Sequence, residues 1–282
     1  MTPKFSIVVA TFNRPAELSA CLRSLAQLDY PATRFEVIVV DDGSPVPVPD
    51  TVGEFAPHLT VSIVRQANRG CGPARNSGAR AATGEYLVFI DDDCLPRPDY
   101  LARLEACVGS RPGCMAGGRC VNSLPHNPYS EASQVLMDFL LDQANADPRA
   151  AGYLNNIAVP REPFLAMGCF DENLWHAAED RDLCDRWRLG GGSIVFEPTI
   201  VIGHAHQLDW SRFWRQHYRY GCGAFHYRRK ALYAPSGASF YWWLFASPFR
   251  QSGRRPMLSC LLLLAAQAAT LAGYFSEGRR CA

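Results

Sequence analysis

The first half of the chain alternates short apolar runs with segments of helical spacing. The apolar runs have the length of buried strands and cover Phe5–Ala10, Phe35–Val40, Leu59–Val64 and Glu85–Ile90. Apolar residues at helical spacing follow in Pro15–Leu28, Cys71–Ala82 and Asp99–Val108. This alternation predicts an α/β fold with a mostly parallel sheet and helices on both faces. Ligands of such sheets bind beyond the carboxyl ends of the strands.

The middle of the chain is less regular. A helix there ends at three glycines, which favour the end of a helix. The predicted elements are a strand at Cys114–Val121, a helix at Glu131–Ala146, an extended segment at Tyr153–Val159, a helix at Asp180–Leu189, and short strands at Ser193–Phe196 and Thr199–Ile202 around Pro198. We expect one catalytic domain over residues 1–206 and a helical appendage over residues 207–282.

The loops after the first two strands carry polar groups. Thr11–Pro15 contains no glycine, so neither the GxGxxG loop of a dinucleotide-binding domain nor a Walker A loop is present there. The second strand ends in Asp41 and Asp42. Their carboxylates can accept hydrogen bonds from a ribose hydroxyl or a base N–H, although Asp, Gly and Ser also form simple turns.

The fourth strand ends in three consecutive carboxylates, Asp91, Asp92 and Asp93. Strand alternation directs Asp91 and Asp93 to one side and Asp92 to the other. A hard cation such as Mg²⁺ or Mn²⁺ would relieve their mutual repulsion and could also bridge to a diphosphate. The alternative is a solvated acidic loop.

Two further charged positions stand at the starts of predicted helices. Arg75 follows a glycine-rich loop and could reach a phosphate oxygen, but an arginine there is often only solvated. Glu179 and Asp180 open a later helix. A carboxylate in that position either caps the helix or serves as a general base.

Five motifs occur in a specific order: SIVVATFNRP, VVDDGS, ARNSGA, GEYLVFIDDD and EDRDLCDRW. On these motifs, the chain from about Phe5 to about His206 resembles the family 2 glycosyltransferases, which have the GT-A fold. The resemblance implies inverting transfer of a sugar from a nucleotide diphosphate, most often UDP, to an acceptor hydroxyl. It also implies Mn²⁺ or Mg²⁺ as cofactor.

The resemblance further implies roles for single residues. Asp180, with its neighbour Glu179, would provide the catalytic base, Arg75 would contact the diphosphate, and Asp93 and Asp91 would serve the metal. Asp91 would also face the ribose or the sugar. The expected nucleotide-sugar-binding set is Thr11, Asn13, Arg14, Asp41, Asp42, Arg75, Asp91, Asp92 and Asn156. The resemblance also implies that His204 or His206 could complete the metal site; His206 is slightly preferred, and the alternative is that neither is a ligand.

Charge adds a feature that the total conceals. The chain has 28 Lys+Arg and 27 Asp+Glu, so it lacks the basic excess of a nucleic-acid binder and the charge excess of a disordered chain. Residues 1–206 carry a net charge of −8, whereas residues 207–256 carry +8 and many aromatic residues. Arginines with aromatics are typical of a membrane interface.

An uncharged segment, Met257–Phe275, follows the basic stretch. As a helix it would be about 28 Å long, just enough to span a bilayer core. We expect attachment to the cytoplasmic face of a membrane, as a single span or in the interface; the alternative is a helix packed on protein. The acceptor would then be a lipid-linked sugar or glycan, as in bacterial polysaccharide or glycolipid synthesis.

The eleven cysteines are scattered, with no CxxC pair and no zinc-like cluster with histidine in the sequence. Free thiols in a reducing cytoplasm are expected. Two other functions stay open: transfer to a polyprenyl phosphate, and a non-catalytic nucleotide-sugar-binding protein. The sequence leaves the donor, the acceptor and the oligomeric state undetermined.

Overall fold

A computed structural model describes residues 2–146, 156–174, 176–230, 237–250 and 255–281. The chain forms two compact units. The first comprises Met1–Val121, Ala151–Trp175 and Glu179–Ala205; the second comprises Asn122–Ala150, His176–Ala178 and His206–Ala282. The second unit thus includes two segments, Asn122–Ala150 and His176–Ala178, that lie within the catalytic domain predicted over residues 1–206. The functional boundary at residue 206 stays a prediction.

The first unit is built on one sheet of eight strands in the order β3-β2-β1-β4-β7-β6-β8-β5. Strands β3, β2, β1 and β4 run parallel, whereas β7 is antiparallel to β4 and β6, and β8 to β5. The strands are β1 Phe5–Thr11, β2 Phe35–Asp41, β3 Val61–Arg65, β4 Tyr86–Asp91, β5 Cys94–Pro96, β6 Met115–Asn122, β7 Ile157–Pro160 and β8 Ile194–His204. The predicted α/β class and parallel strands are confirmed.

Helices connect these strands and form the second unit. Those of the first unit are α1 to α4, α6 and α7, and those of the second are α5, α8, α9 and α10. The bounds are α1 Pro15–Leu25, α2 Pro49–Gly53, α3 Cys71–Ala81, α4 Tyr100–Ser110, α5 Pro128–Ala146, α6 Arg161–Ala166, α7 Glu179–Leu189, α8 Trp210–Lys230, α9 Ala238–Arg250 and α10 Pro256–Arg280.

The sheet separates two apolar cores. Ile7 and Val9 of β1 join one core, and Val8 between them joins the other. The same alternation places Val37 and Val39 of β2 opposite Ile38 and Val40. Period-two alternation in a strand dictates this division. Each of these side chains is buried, which contributes about 1.5–3 kcal/mol per residue.

Several predicted boundaries were wrong in detail. The two strands predicted around Pro198 form the single strand β8. Pro198 lies outside Ile202–His204, the part that pairs with β5, so its missing N–H interrupts no hydrogen bond of that pair. Strand β3 begins later than predicted, and α2, α6 and β5 are too short to give a periodic signal. Of the extended segment predicted at Tyr153–Val159, positions 153–155 lie outside the described residues, and β7 covers the rest from Ile157.

The second unit depends on the close approach of α8 and α10. A Cβ on Gly221 would lie 2.0 Å from the Thr270 carbonyl oxygen, and a Cβ on Gly273 would lie 2.0 Å from that of Tyr218. Glycine is therefore required at both positions for the helices to approach this closely. Small apolar clusters surround the pair, one of them formed by Ala132, Leu208, Phe213, Leu262 and Ala266.

Helix α10 is long and apolar enough to cross a bilayer, by length and composition alone. Its most apolar 18-residue window has a mean hydropathy of 1.7, and 33% of that window is buried in the protein. One such helix is weak evidence for membrane association, since the core helix of a soluble protein passes the same test. The buried face of α10 includes Leu263, Ala266 and Gly273, at helical spacing.

Candidate functional site

The acidic end of β4 lies at the carboxyl edge of the parallel strands, where β1 and β2 also end. Asp92 and Asp93 are buried, whereas the Asp91 side chain is 44% exposed. Oxygens of Asp91 and Asp93 lie within 4.8 Å of each other and of the Cys94 sulfur. Asp92 is not in that group and accepts a 2.7 Å hydrogen bond from Thr11 Oγ1. Asp91 and Asp93 are therefore the two members of the triplet that could share a cation, whereas Asp92 contacts β1.

Arg14 holds two members of the triplet. Its Nη1 lies 2.7 Å from Asp92 Oδ1 and its Nη2 2.7 Å from Asp93 Oδ2. Burial raises the pKa of Asp92 to about 7, against the opposing effects of Arg14 and Thr11. Burial acts in the same direction on Asp93, but His204 and Arg14 outweigh it and hold the pKa of Asp93 below its usual value. Asp93 thus keeps its charge, as a metal ligand requires.

His204 is the histidine that reaches the triplet. Its Nε2 lies 3.1 Å from Asp93 Oδ1, because the pairing of β5 with β8 sets Cys94 opposite His204. Burial lowers the pKa of His204, but the Asp93 carboxylate outweighs burial and raises it well above its usual value. His206, which the sequence slightly favoured, belongs to the second unit, where its carbonyl oxygen accepts a 2.5 Å hydrogen bond from Ser130.

Arg75 links the acidic strand end to the start of α7. Its Nη2 lies 2.6 Å from Asp91 Oδ1 and its Nη1 2.8 Å from Glu179 Oε1. The guanidinium also lies 5.6 Å from the centre of the Phe170 ring, and its Nε is buried with no hydrogen-bond partner among the described residues. A buried fork between two carboxylates is a place where a phosphate could replace one of them.

Asp180 lies next to Glu179 in the first turn of α7 and is half-buried. Its Oδ1 accepts a 2.7 Å hydrogen bond from the Arg181 N–H. The preceding residue, Ala178, has a φ of 73°, a left-handed conformation that is uncommon for a residue with a Cβ. Helix α7 thus begins with Glu179 held by Arg75 and with the Asp180 carboxylate beside it.

The end of β2 is fixed by its own loops. Asp42 accepts hydrogen bonds from the Gln66 amide and from the N–H groups of Arg69 and Gly70. Asp41 accepts one from the Ser44 N–H. Both carboxylates are buried, and Asp42 holds the glycine-rich segment that leads into α3.

Two other predicted residues have mainly structural contacts. Asn13 has a φ of 54° and donates its N–H to Ser44 Oγ, so it shapes the loop after β1. Asn156, predicted near the donor sugar, is buried and bonds through both side-chain amide atoms to the Gly118 backbone. In this structure Asn156 joins its segment to β6.

The donor set fits a hard divalent cation. Asp91 and Asp93 supply carboxylate oxygens at metal-ligand spacing, and His204 supplies a nitrogen next to Asp93. Cys94 directly follows Asp93 and belongs to the same group, although it was not predicted from the sequence. A buried thiol suits softer metals than Mg²⁺.

An α/β sheet of this order with an acidic triplet at the end of β4 defines a GT-A protein. The chain belongs to the family described as "Glycosyl transferase family 2", whose profile matches residues 6–156. The chain is 31% identical over 224 residues to a validoxylamine A glucosyltransferase of Streptomyces hygroscopicus subsp. jinggangensis, covering 73% of this chain and 52% of the relative. A pre-mycofactocin glycosyltransferase of Mycobacterium tuberculosis is 30% identical over 219 residues, covering 73% and 44%.

Solved structures share the fold. The mannosyltransferase PcManGT from Pyrobaculum calidifontis, in complex with GDP-Man and Mn²⁺, aligns with a TM-score of 0.65 at 23% identity, covering 100% of this chain and 81% of that one. TarS 1–349 of S. aureus aligns with a TM-score of 0.58 at 19% identity, covering 96% and 89%. The chain spans about half the length of the curated relatives it matches.

Proposed function

We propose that this chain transfers a sugar, with inversion, from a nucleotide diphosphate to an acceptor hydroxyl. The observation that carries the proposal is the continuous set of charged groups from Asp93 through Asp91 and Arg75 to Glu179, which ends beside Asp180. Membership of the family and the glycosyltransferase relatives support the same reaction.

Asp91 and Asp93, with His204, are the proposed ligands of a divalent cation. Mn²⁺ and Mg²⁺ suit the two carboxylates, and PcManGT was solved with Mn²⁺. When bound, the cation neutralises charge on the departing diphosphate. Arg75 would turn part of its fork from Asp91 or Glu179 to a phosphate oxygen, and the nucleoside would lie along Thr11, Asp41 and Asp42. A UDP-sugar is the donor that the family resemblance favours.

Asp180 is the proposed catalytic base. It would take the proton of the acceptor hydroxyl as the new C–O bond forms and the bond from the sugar carbon to the diphosphate breaks. Asp180 has no place in the proposed cation set, so it can keep the basicity that proton transfer needs. Glu179, held by Arg75, would fix the start of α7 and so position Asp180.

The test is Asp180→Asn. Loss of a general base is expected to lower turnover by about 10²–10⁴-fold with donor binding unchanged. Asp185→Asn is the matched control, since Asp185 lies on the same helix and pairs with Arg188. Donors are first found by thermal shift with UDP-, GDP- and dTDP-sugars, with and without Mn²⁺. Full turnover by Asp180→Asn would contradict its role as base.

Two other functions give different results. Transfer to a polyprenyl phosphate needs little help from a base, because the acceptor is already anionic, so Asp180→Asn would keep most of its turnover. A non-catalytic protein would bind a donor without any turnover. The half-buried carboxylate beside Glu179, in the first turn of α7, favours the hydroxyl acceptor.

We also propose that the second unit binds a membrane surface peripherally. Helix α10 packs one face on protein, and its other face exposes apolar side chains such as Leu261, Leu264 and Phe275. Trp242 and Trp243 of α9 are exposed as well, with Arg250 against the Trp243 ring. This pattern favours a helix lying in the interface of the cytoplasmic leaflet.

Flotation with vesicles containing anionic lipid tests this attachment. The double variant Leu261→Gln/Leu264→Gln should bind at least tenfold more weakly, because each leucine contributes about 1.5–3 kcal/mol when it leaves water. Leu189→Gln is the control, since Leu189 is an exposed leucine of the first unit. Equal binding by the double variant, or no binding of the wild-type chain to any vesicle, would contradict the proposal.

A further inference from the structure

A second group of potential metal ligands lies in the second unit, apart from the acidic triplet. It consists of His176, Cys222 and Glu277, whose ligand atoms all lie within 4.8 Å of one another. No spacing rule could identify these residues, because Cys222 follows His176 by 46 positions and Glu277 follows Cys222 by 55. The fold assembles them because α8 and α10 approach closely at Gly221 and Gly273.

The segment carrying His176 is also held close to α8. A Cβ on Gly223 would lie 2.6 Å from the Ala177 carbonyl oxygen. Gly223 directly follows Cys222, so the turn of α8 that carries the thiol is also the turn against which the His176 segment packs. Three backbone segments therefore converge, and each supplies one ligand atom.

The carboxylate of Glu277 has one oxygen engaged and one available. His226 Nε2 lies 2.9 Å from Oε1 and so fixes the orientation of the carboxylate, as hydrogen bonds to metal-ligating carboxylates do. Oε2 is buried and has no hydrogen-bond partner among the described residues, with Arg280 at 3.8 Å. A buried carboxylate oxygen without a hydrogen bond is costly, and a bound cation would satisfy it.

We propose that His176, Cys222 and Glu277 bind a Zn²⁺ ion whose fourth ligand is a water molecule, with His226 orienting Glu277. Nitrogen, sulfur and oxygen ligands of this kind suit Zn²⁺ and not Mg²⁺. In a tetrahedral site the ligand atoms lie about 3.4–3.7 Å apart. His176 Nε2 already lies 3.9 Å from Glu277 Oε1.

The Cys222 thiol now donates to the Gly273 carbonyl oxygen at 3.5 Å, and burial raises its pKa. Zinc binding forms the Zn–S bond and releases the thiol proton to solvent, so binding should weaken as the pH falls. His176 stands three positions before Glu179 in the chain. The ion would thereby hold the segment that leads into the proposed catalytic helix.

The test uses the full chain carrying Asp93→Asn, which removes the candidate cation site at the acidic triplet. After chelation and back-titration with Zn²⁺ alone, we expect one ion per chain that survives gel filtration and excess Mg²⁺. Cys222→Ser and Glu277→Gln should each weaken Zn²⁺ binding at least about tenfold. Cobalt(II) in place of zinc should give a thiolate charge-transfer band that Cys222→Ser lacks.

The matched controls are Cys260→Ser and His58→Gln. Cys260 lies on α10 and also donates its thiol to a carbonyl oxygen, and His58 is exposed in the first unit. Both should bind Zn²⁺ like the parent chain. Circular dichroism verifies that each variant is folded. If Glu277→Gln unfolds, Zn²⁺ binding by the near-isosteric Cys222→Ser alone tests the proposal. Less than about 0.1 ion per chain, or unchanged binding in Cys222→Ser, would overturn the proposal.

Discussion

At the scale of the residue, Arg75 is the group on which the candidate site most depends. It is 12% exposed, touches both Asp91 and Glu179, and lies where the family resemblance expects a diphosphate contact. We predict that Arg75→Gln weakens nucleotide-diphosphate binding by at least tenfold, because a buried charged hydrogen bond contributes about 1.5–3 kcal/mol. Arg75→Lys should rescue it only in part, since the two-pronged fork is lost.

Calorimetric titration measures the effect of these Arg75 variants. Arg80→Gln is the control, because Arg80 lies on the same helix and is exposed. Donor binding by Arg75→Gln that matches the Arg80→Gln value would refute a diphosphate contact.

His217 of α8 makes the second unit sensitive to pH. It is buried against Phe213 and Tyr220, and neither ring nitrogen has a hydrogen-bond partner among the described residues. Burial lowers its pKa to about 4. The unfolded chain takes up a proton near pH 6.5 and the folded chain does not, so this contribution to stability is complete above pH 6.5 and is lost as the pH falls towards 4.

We therefore predict that the wild-type chain loses about 3 kcal/mol more of its free energy of unfolding between pH 6.5 and pH 4 than His217→Phe does. Urea denaturation at several pH values gives the difference from wild type, which cancels the contribution of the carboxylates. The control is His126→Phe, an exposed histidine of the same unit. Parallel pH profiles for wild type and His217→Phe would show that His217 is not buried in its neutral form.

At the scale of the element, the approach of α8 to α10 rests on two glycines. A Cβ on Gly273 would meet backbone at 2.0 Å, so Gly273→Ala must push the helices apart. We predict a loss of about 1–3 kcal/mol in the free energy of unfolding, measured as a lower urea midpoint. Gly278→Ala on the same helix meets only the Phe225 ring, at 3.2 Å, and should cost much less. A smaller loss for Gly273→Ala than for Gly278→Ala would contradict this packing.

The elements also show what the sequence could predict. The parallel strands β1, β2 and β4 have strong apolar runs, and the ends of β2 and β4 carry the acidic residues. The edge that gathers Asp41, Asp42 and the triplet was therefore predictable. The pairing of β5 with β8 was not, since three residues of β5 give no periodicity and the partner lies about a hundred positions on. That pairing brings His204 to Asp93, which no local pattern reveals.

The same physical limit applies to the second unit. Spacing of cysteine and histidine indicated no zinc-like cluster, whereas the fold gathers His176, Cys222 and Glu277 from three segments. Only the close approach of two helices at Gly221 and Gly273 creates this group. Local patterns predict elements well, but sites that depend on long-range packing appear only with the fold.

At the scale of the whole molecule, the net charge of +1 combines two parts of the chain with opposite net charge, residues 1–206 and residues 207–256. The first unit carries the acidic strand end and the proposed transfer site, and the second carries the basic, aromatic helices. The eleven cysteines all lie in the described part of the chain, and none of them forms a disulfide there. The aromatic and basic composition of α8 and α9 predicted the membrane surface that we propose for the second unit.

The central claim is that the acidic end of β4 binds a nucleotide diphosphate through a divalent cation. Calorimetric titration of UDP, GDP and dTDP into the wild-type chain and Asp93→Asn, with and without Mn²⁺, tests it most directly. We predict that at least one nucleotide binds wild type with Mn²⁺ and binds at least tenfold more weakly without Mn²⁺ or in Asp93→Asn. Binding that is equal in all these conditions, or no binding of any nucleotide to wild type, would contradict the account.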